Sequence, residues 1–188
     1  MHAFLLSTAV IFVAELGDKS QLMAMTFATR LPARQVLLGI TLATAVVHLF
    51  SVAVGALVGT SLPTDVIAVL AGLAFLGFAA WTLHGDTLDE EERRRAARPT
   101  RHAVWAVGVA FFLAELGDKT MLATVTLATR EAWFGTWVGS TLGMVAADAL
   151  AIGVGALLGR HLPDRLIKYG AAAAFAVFGL LLVVDGLR

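Results

Sequence analysis

Three observations predict an all-α polytopic membrane protein with six transmembrane helices arranged as two inverted three-helix repeats. Of 188 residues, 59% are hydrophobic and the mean hydropathy is +0.82, whereas a soluble domain is nearer ~45–50% apolar. Apolar stretches of about 20 residues, the length that crosses a hydrocarbon core ~30 Å thick, recur along the chain. Finally, residues 1–88 laid over 101–188 without gaps give 29 identities in 88 positions. That is a duplicated unit.

The apolar stretches place six spans at 4–27, 36–59, 65–84, 103–127, 134–159 and 166–186. Leu31-Pro32, Leu62-Pro63 and Leu162-Pro163 separate spans where breaks are expected. Residues 1–86 form the first repeat, 87–101 a charged linker and 102–188 the second repeat, together one membrane domain. The linker region, Asp86 to Arg101, is the strongly polar segment, with Asp89-Glu90-Glu91-Glu92 ahead of Arg93-Arg94-Arg95. Acidic residues three or four positions before arginines suit a short solvated helix. No room remains for a separate soluble domain. The first stretch does not read as a signal peptide, because it lacks a basic start and carries charges where such a peptide is apolar.

Three spans per unit is an odd number, so the second unit enters the membrane from the opposite side. This is the inverted-repeat plan of many secondary transporters, whose axis brings equivalent midplane segments together. Arg30, Arg34, Arg93, Arg94, Arg95, Arg98, Arg101, Arg160, Arg165 and Lys168 fall on one side, against Arg130 and Arg188 on the other. The positive-inside rule then puts the linker in the cytoplasm and both termini outside, in a multi-pass protein of the cell (inner) membrane.

The repeat is sharpest at Ala14-Glu15-Leu16-Gly17-Asp18-Lys19-Ser20, which returns as Ala114-Glu115-Leu116-Gly117-Asp118-Lys119-Thr120. Both copies lie inside apolar stretches. A charged residue at the centre of a membrane helix costs ~2.5–3.5 kcal/mol on insertion scales, so a chain that carries six of them is using them. On a continuous helix Glu15, Asp18, Lys19, Thr8, Thr26 and Thr29 share one stripe about 100° wide. Ser20 and Thr120 fall off that stripe. Either the glycine before each aspartate unwinds the helix and turns them inward, or they bond a carbonyl or a neighbouring helix.

Four carboxylates with hydroxyls make an all-oxygen site suited to Mn²⁺, Ca²⁺ or Mg²⁺ rather than Cu⁺ or Zn²⁺. The absence of cysteine points the same way. Crowded together, Glu15, Asp18, Glu115 and Asp118 cannot all stay ionised without a cation, so metal and protons compete for the site. Lys19 and Lys119 follow the glutamates at the spacing of a helical ion pair. They either hold the empty site together or simply neutralise it for insertion. His48 and Asp148 occupy equivalent positions in the second and fifth spans, as buried hydrogen-bonding groups or as ligands or proton relays. The patterns Gly55 to Gly59, Gly155 to Gly159 and Gly135, Gly139, Gly143 permit close helix packing.

With its doubled Glu-x-Gly-Asp-Lys-(Ser/Thr) motif, the chain resembles a family of cation:proton antiporters over nearly its whole length. That family includes bacterial MneA-type manganese exporters and manganese or calcium transporters of Golgi and chloroplast. The resemblance implies export of Mn²⁺, or in some members Ca²⁺, in exchange for protons. It implies a cation site of Glu15, Asp18, Glu115 and Asp118, supported by Lys19, Ser20, Gln21, Lys119 and Thr120. Met121 stands where the first half has Gln21, and Asp148 stands opposite His48, so the halves are not chemically identical.

The expected partners are a divalent cation, protons and the lipid bilayer, with no cofactor, no enzymatic activity and no nucleic acid. Nothing in the chain speaks for a homo-oligomer. Competing readings are an exporter of small organic solutes, a cation channel and a non-transporting membrane factor. The first needs a roomier, less charged cavity. The last lacks a soluble domain to relay a signal.

Overall fold

A computed structural model describes residues 1–84, 90–91, 94, 102–158 and 164–188, with side chains omitted at 157–158 and 164–167. Eight helices have described bounds: α1 His2–Glu15, α2 Lys19–Ala28, α3 Ala33–Ser61, α4 Thr64–His84, α5 Ala103–Glu115, α6 Lys119–Ala128, α7 Trp133–Leu158 and α8 Asp164–Gly186. There is no strand among the described residues. The Leu162-Pro163 break, Gly159 and most of the charged linker, Asp86 included, lie outside the described residues. Of the linker, Arg94 Nε meets Glu90 Oε1 at 3.3 Å, the expected spacing of one helical turn.

Four helical segments are long and apolar enough to cross a membrane: Ala33–Ser61, Thr64–His84, Trp133–Ala156 and Lys168–Gly186. Their outer faces are apolar, with Leu42, Phe50, Leu57, Leu70 and Leu181 exposed. A soluble protein rarely leaves such a surface uncovered. The expected first and fourth spans are not single helices. α1 stops at Glu15 and α2 starts at Lys19, and likewise α5 stops at Glu115 and α6 starts at Lys119. The cause is local. Gly17 and Gly117 adopt φ of 74° and 79°, a left-handed conformation that only glycine takes without strain. Leu16 and Leu116 before them, and Asp18 and Asp118 after them, are extended.

This break also removes the single polar stripe expected of a continuous helix. Thr8, Thr26 and Thr29 bond carbonyls of their own helices, those of Phe4, Leu22 and Thr26, and play no part in a shared site.

The most extensive packings join the two repeats: α4 on α8, α1 on α7 and α3 on α5. The last two are the same contact with the halves exchanged. α1 and α7 run in the same direction. Gly135 sits on Ala3 and Phe4, Gly139 on Phe4 and Ser7, and Gly143 on Thr8 and Phe12. A Cβ on Gly143 would come 2.6 Å from the Thr8 carbonyl, so only glycine permits this approach. Gly55 and Gly59 seat α6 in the same manner. The glycine patterns therefore serve packing within one chain. α4 and α8 run antiparallel, with Gly72 against Gly179 and Gly186 against Asp65. Phe75, Phe78, Phe175 and Phe178 close their interface edge to face and tilted, at ring distances of 4.8–6.1 Å.

Gly17→Ala and Gly117→Ala should each destabilise the protein by about 1–2 kcal/mol, through the left-handed φ. Gly77→Ala, on α4 where an added Cβ meets nothing within 4 Å, should leave the Tm in detergent unchanged or raise it. Equal melting of all three variants would contradict the strain assigned to the breaks.

Candidate functional site

Both breaks turn their charged side chains into the protein interior, while the backbone at Gly17 and Gly117 is exposed. Glu15, Asp18, Ser20 and Gln21 from the first motif are buried, as are Glu115, Asp118, Lys119 and Thr120 from the second. Lys19 keeps some exposure. The extended Asp18 and Asp118 open their downstream helices, so each aspartate stands at a helix N-terminus while its glutamate ends the preceding helix. Ser20 Oγ donates to Glu15 Oε1. Thr120 Oγ1 donates to Glu115 Oε2 at 2.8 Å. Of the two placements open for these hydroxyls, the unwound one is found.

The lysines cross between the halves. Lys119 Nζ donates to Asp18 Oδ1 at 2.5 Å, fully inside the protein. Lys19 Nζ lies 3.6 Å from Asp118 Oδ1. The spacing of four residues had suggested a pair with the glutamate of the same motif. The helix that would stack Lys19 one turn from Glu15 stops at Glu15, and the ammonium reaches the opposite aspartate instead.

Several carboxylate oxygens retain no hydrogen-bond partner: Glu15 Oε2, Glu115 Oε1 and both oxygens of Asp148. The groups feel one another. Glu15 is repelled by Glu115, Asp18 and Asp148 and attracted by Lys119. Glu115 is repelled by Asp118, Asp18 and Asp148. Asp148, buried on α7, thus shares the field of the motif carboxylates. His48, its mate on α3, is also buried with Nδ1 unpartnered, but burial rather than a charged neighbour governs its surroundings. The structure brings Asp148 to the carboxylates and leaves His48 out of their field. Among the described residues no three carboxylate or imidazole side chains already form a closed metal cage.

Gln21 fastens the first break. Its Oε1 accepts from the Gly17 N–H at 2.8 Å, and its Nε2 donates to the Ala147 carbonyl at 2.8 Å, next to Asp148. Met121 occupies the same place in the second break, with its Sδ 3.1 Å from the Gly117 N–H. A thioether has no donor, so it offers no counterpart to the bond Gln21 makes with Ala147. Sequence reasoning saw the Gln/Met difference without its consequence. The repeated glycine was the available signal for the break. No spacing rule could have told that the lysines cross.

The chain matches the family described as divalent cation/proton antiporter GDT1 over residues 3–90 and 103–188. It belongs to that family. The GDT1 match covers both motif copies, as does similarity to individual relatives. A Vibrio cholerae protein named as a candidate manganese exporter is 34% identical over 96% of this chain and 90% of its own length. A rice chloroplast GDT1-like protein is 30% identical over 94% of this chain. The Arabidopsis chloroplast protein PAM71 is 30% identical over 97% of it. The chain spans 59% and 56% of the length of these two plant relatives. No solved structure matches.

Lys119→Met should destabilise the protein by about 3–5 kcal/mol, because Asp18 is left buried without its cation. Lys19→Met should cost less, since that lysine is partly solvated. Adding Asp18→Asn to Lys119→Met should recover much of the loss in thermal unfolding in detergent. A double variant no more stable than Lys119→Met would contradict the crossed pairing.

Proposed function

We propose that this GDT1-family protein exports Mn²⁺, with Ca²⁺ as a second substrate, across the cell membrane in exchange for protons. The observation that carries the reading is the meeting of two broken-helix motifs with the same charged residues in one buried cluster. There the carboxylates of Glu15, Asp18, Glu115 and Asp118 present oxygens alone, and two of those oxygens lack partners. Hard oxygen donors favour Mn²⁺ and Ca²⁺.

In this reading α1–α2 and α5–α6 each cross the membrane as one broken span, giving six spans with the repeats inverted. The antiparallel run of α4 and α8, which are equivalent in the repeat, supports the inversion. So does the parallel run of α1 and α7. The linker is cytoplasmic and the termini lie outside, by the distribution of arginines.

Lys19 and Lys119 act as built-in cations. They balance the aspartates while the site is empty and swing off as the metal binds, so the site is never a bare cluster of negative charge. Ser20 and Thr120 orient the glutamates, and Gln21 holds the first break against α7. Asp148 adds a carboxylate to the site's field, whereas His48 is a buried group of the α3 interior. As the metal leaves, mutual repulsion drives protons onto the vacated carboxylates, and this competition couples the two fluxes.

The test is Mn²⁺ and Ca²⁺ flux in proteoliposomes with an imposed pH gradient. Uphill Mn²⁺ movement driven by protons should disappear in both Glu15→Gln and Asp118→Asn. Downhill flux without proton coupling would indicate a channel. Movement of neither ion by folded protein would overturn the reading in favour of an organic-solute exporter.

A further inference from the structure

Helical serines and threonines in this protein usually satisfy themselves by donating to the carbonyl one turn back. Thr41, Ser51, Thr124 and Thr141 do so. Ser7, Thr136 and Ser140 do not. All three are fully buried, and none has a hydrogen-bond partner in the protein. The other such hydroxyl among the described residues is that of Thr82, on α4.

The three lie together. Ser7 packs on Gly139, which is flanked on α7 by Thr136 and Ser140. On α7, Thr136, Ser140, Met144 and Asp148 follow one another at four-residue intervals and form one inward stripe, all of it buried. On α1 the matching stripe is Ala3, Ser7, Ile11 and Glu15, also buried. The parallel packing of α1 and α7 therefore lines up unpartnered hydroxyls with the unpartnered oxygens of Glu15 and Asp148. Met144 and Ile11 interrupt the line for about one turn. Met144 is flexible and unbranched, and its sulfur accepts from Thr44 at 3.4 Å. The outer end lies beneath His2 and Glu131, 3.2 Å apart.

The repeat supplies an internal control. The residues equivalent to Ser7, Thr136 and Ser140 are Val107, Val36 and Ile40, at the α3–α5 contact, each fully buried. One contact is lined with hydroxyls and leads to an aspartate. Its mate is apolar at those three positions, has Thr44 where the first has Met144, and leads to His48.

We infer that Ser7, Thr136 and Ser140 form a file that admits water, and with it protons, from the N-terminal face toward Glu15 and Asp148, a route the other half lacks. Buried hydroxyls without protein partners are where ordered water is bound. Resting on the antiporter reading, with the termini outside, this file is the path by which external protons reach the site as the cation is discharged. Met144 and Ile11 close it in the present conformation.

The experiment gives the hydroxyl file the apolar residues of the equivalent positions: Ser7→Val, Thr136→Val and Ser140→Ile in one full-length chain. Mn²⁺ affinity by calorimetry should stay within twofold of the unsubstituted protein, while proton-driven Mn²⁺ flux falls at least tenfold. Unchanged flux in folded protein would overturn the inference. So would parallel loss of binding and flux, which would make the hydroxyls part of the cation site.

If the triple variant does not fold, the near-isosteric Thr136→Val must lower flux at least threefold with binding intact, and an unchanged rate overturns the proposal. The chain has no cysteine, so single cysteines give a second readout. Ser140→Cys should react with a small water-borne thiol reagent faster than Ile40→Cys, and equal rates would count against the file. Failure of the unsubstituted protein to move Mn²⁺ or Ca²⁺ would refute the antiporter reading itself. Retained exchange in the triple variant refutes only the file.

Discussion

Charge compensation between the two repeats is the constraint on which the rest of this structure depends. A buried aspartate and a buried lysine are best tolerated in an apolar interior when their charges meet. Here the opposite charge comes from the other half: Lys119 closes on Asp18, and Lys19 approaches Asp118. Neither motif is complete alone. The crossing of lysines holds two broken helices at one place and makes the halves a single folding unit. The glycine at each break, the small residues along α7 and the aromatic seam of α4 and α8 all let the two halves come close enough for it.

The break has a second effect. Ending a helix at each glutamate and beginning another at each aspartate leaves backbone donors and acceptors free beside the buried carboxylates. Gln21 takes up one of them and joins it to α7, and Met121 meets its equivalent through sulfur. A continuous helix would point the glutamate and the hydroxyl, five residues apart, about 140° away from each other on different faces. The unwound one places Ser20 on Glu15 and Thr120 on Glu115.

The charged residues of the motif repeat exactly, Thr120 replaces Ser20, and the surrounding positions differ more. Gln21, Ser7, Thr136 and Ser140, at the first break, α1 and α7, stand opposite the apolar Met121, Val107, Val36 and Ile40, and Asp148 on α7 stands opposite His48. The two related contacts therefore carry different polar groups, unpartnered hydroxyls at one and Thr44, His48 and Ser51 along α3 at the other, while the charged residues of the motif are kept in both. For an exchanger, whose two sides face different solutions, such a difference is physically useful.

Much of this was legible in the chain. Composition alone settled an all-helical membrane class, because so apolar a sequence cannot be covered by its polar residues in water. The doubled motif was legible as a family signature, and the glycine patterns as packing surfaces. The six apolar stretches were legible as segments, but two of them contain breaks that hydropathy averages away. The lysine partners were misjudged because the spacing rule for ion pairs assumes the helix continues. Likewise, the unpartnered state of Ser7, Thr136 and Ser140 cannot be read from residue type, since most helical hydroxyls bond their own backbone. The sequence by itself determined which charges and hydroxyls the interior must carry, because their identity and repetition are covalent facts. Only the tertiary structure decided which charge meets which and which hydroxyls go without, because those depend on distances across helices a hundred residues apart.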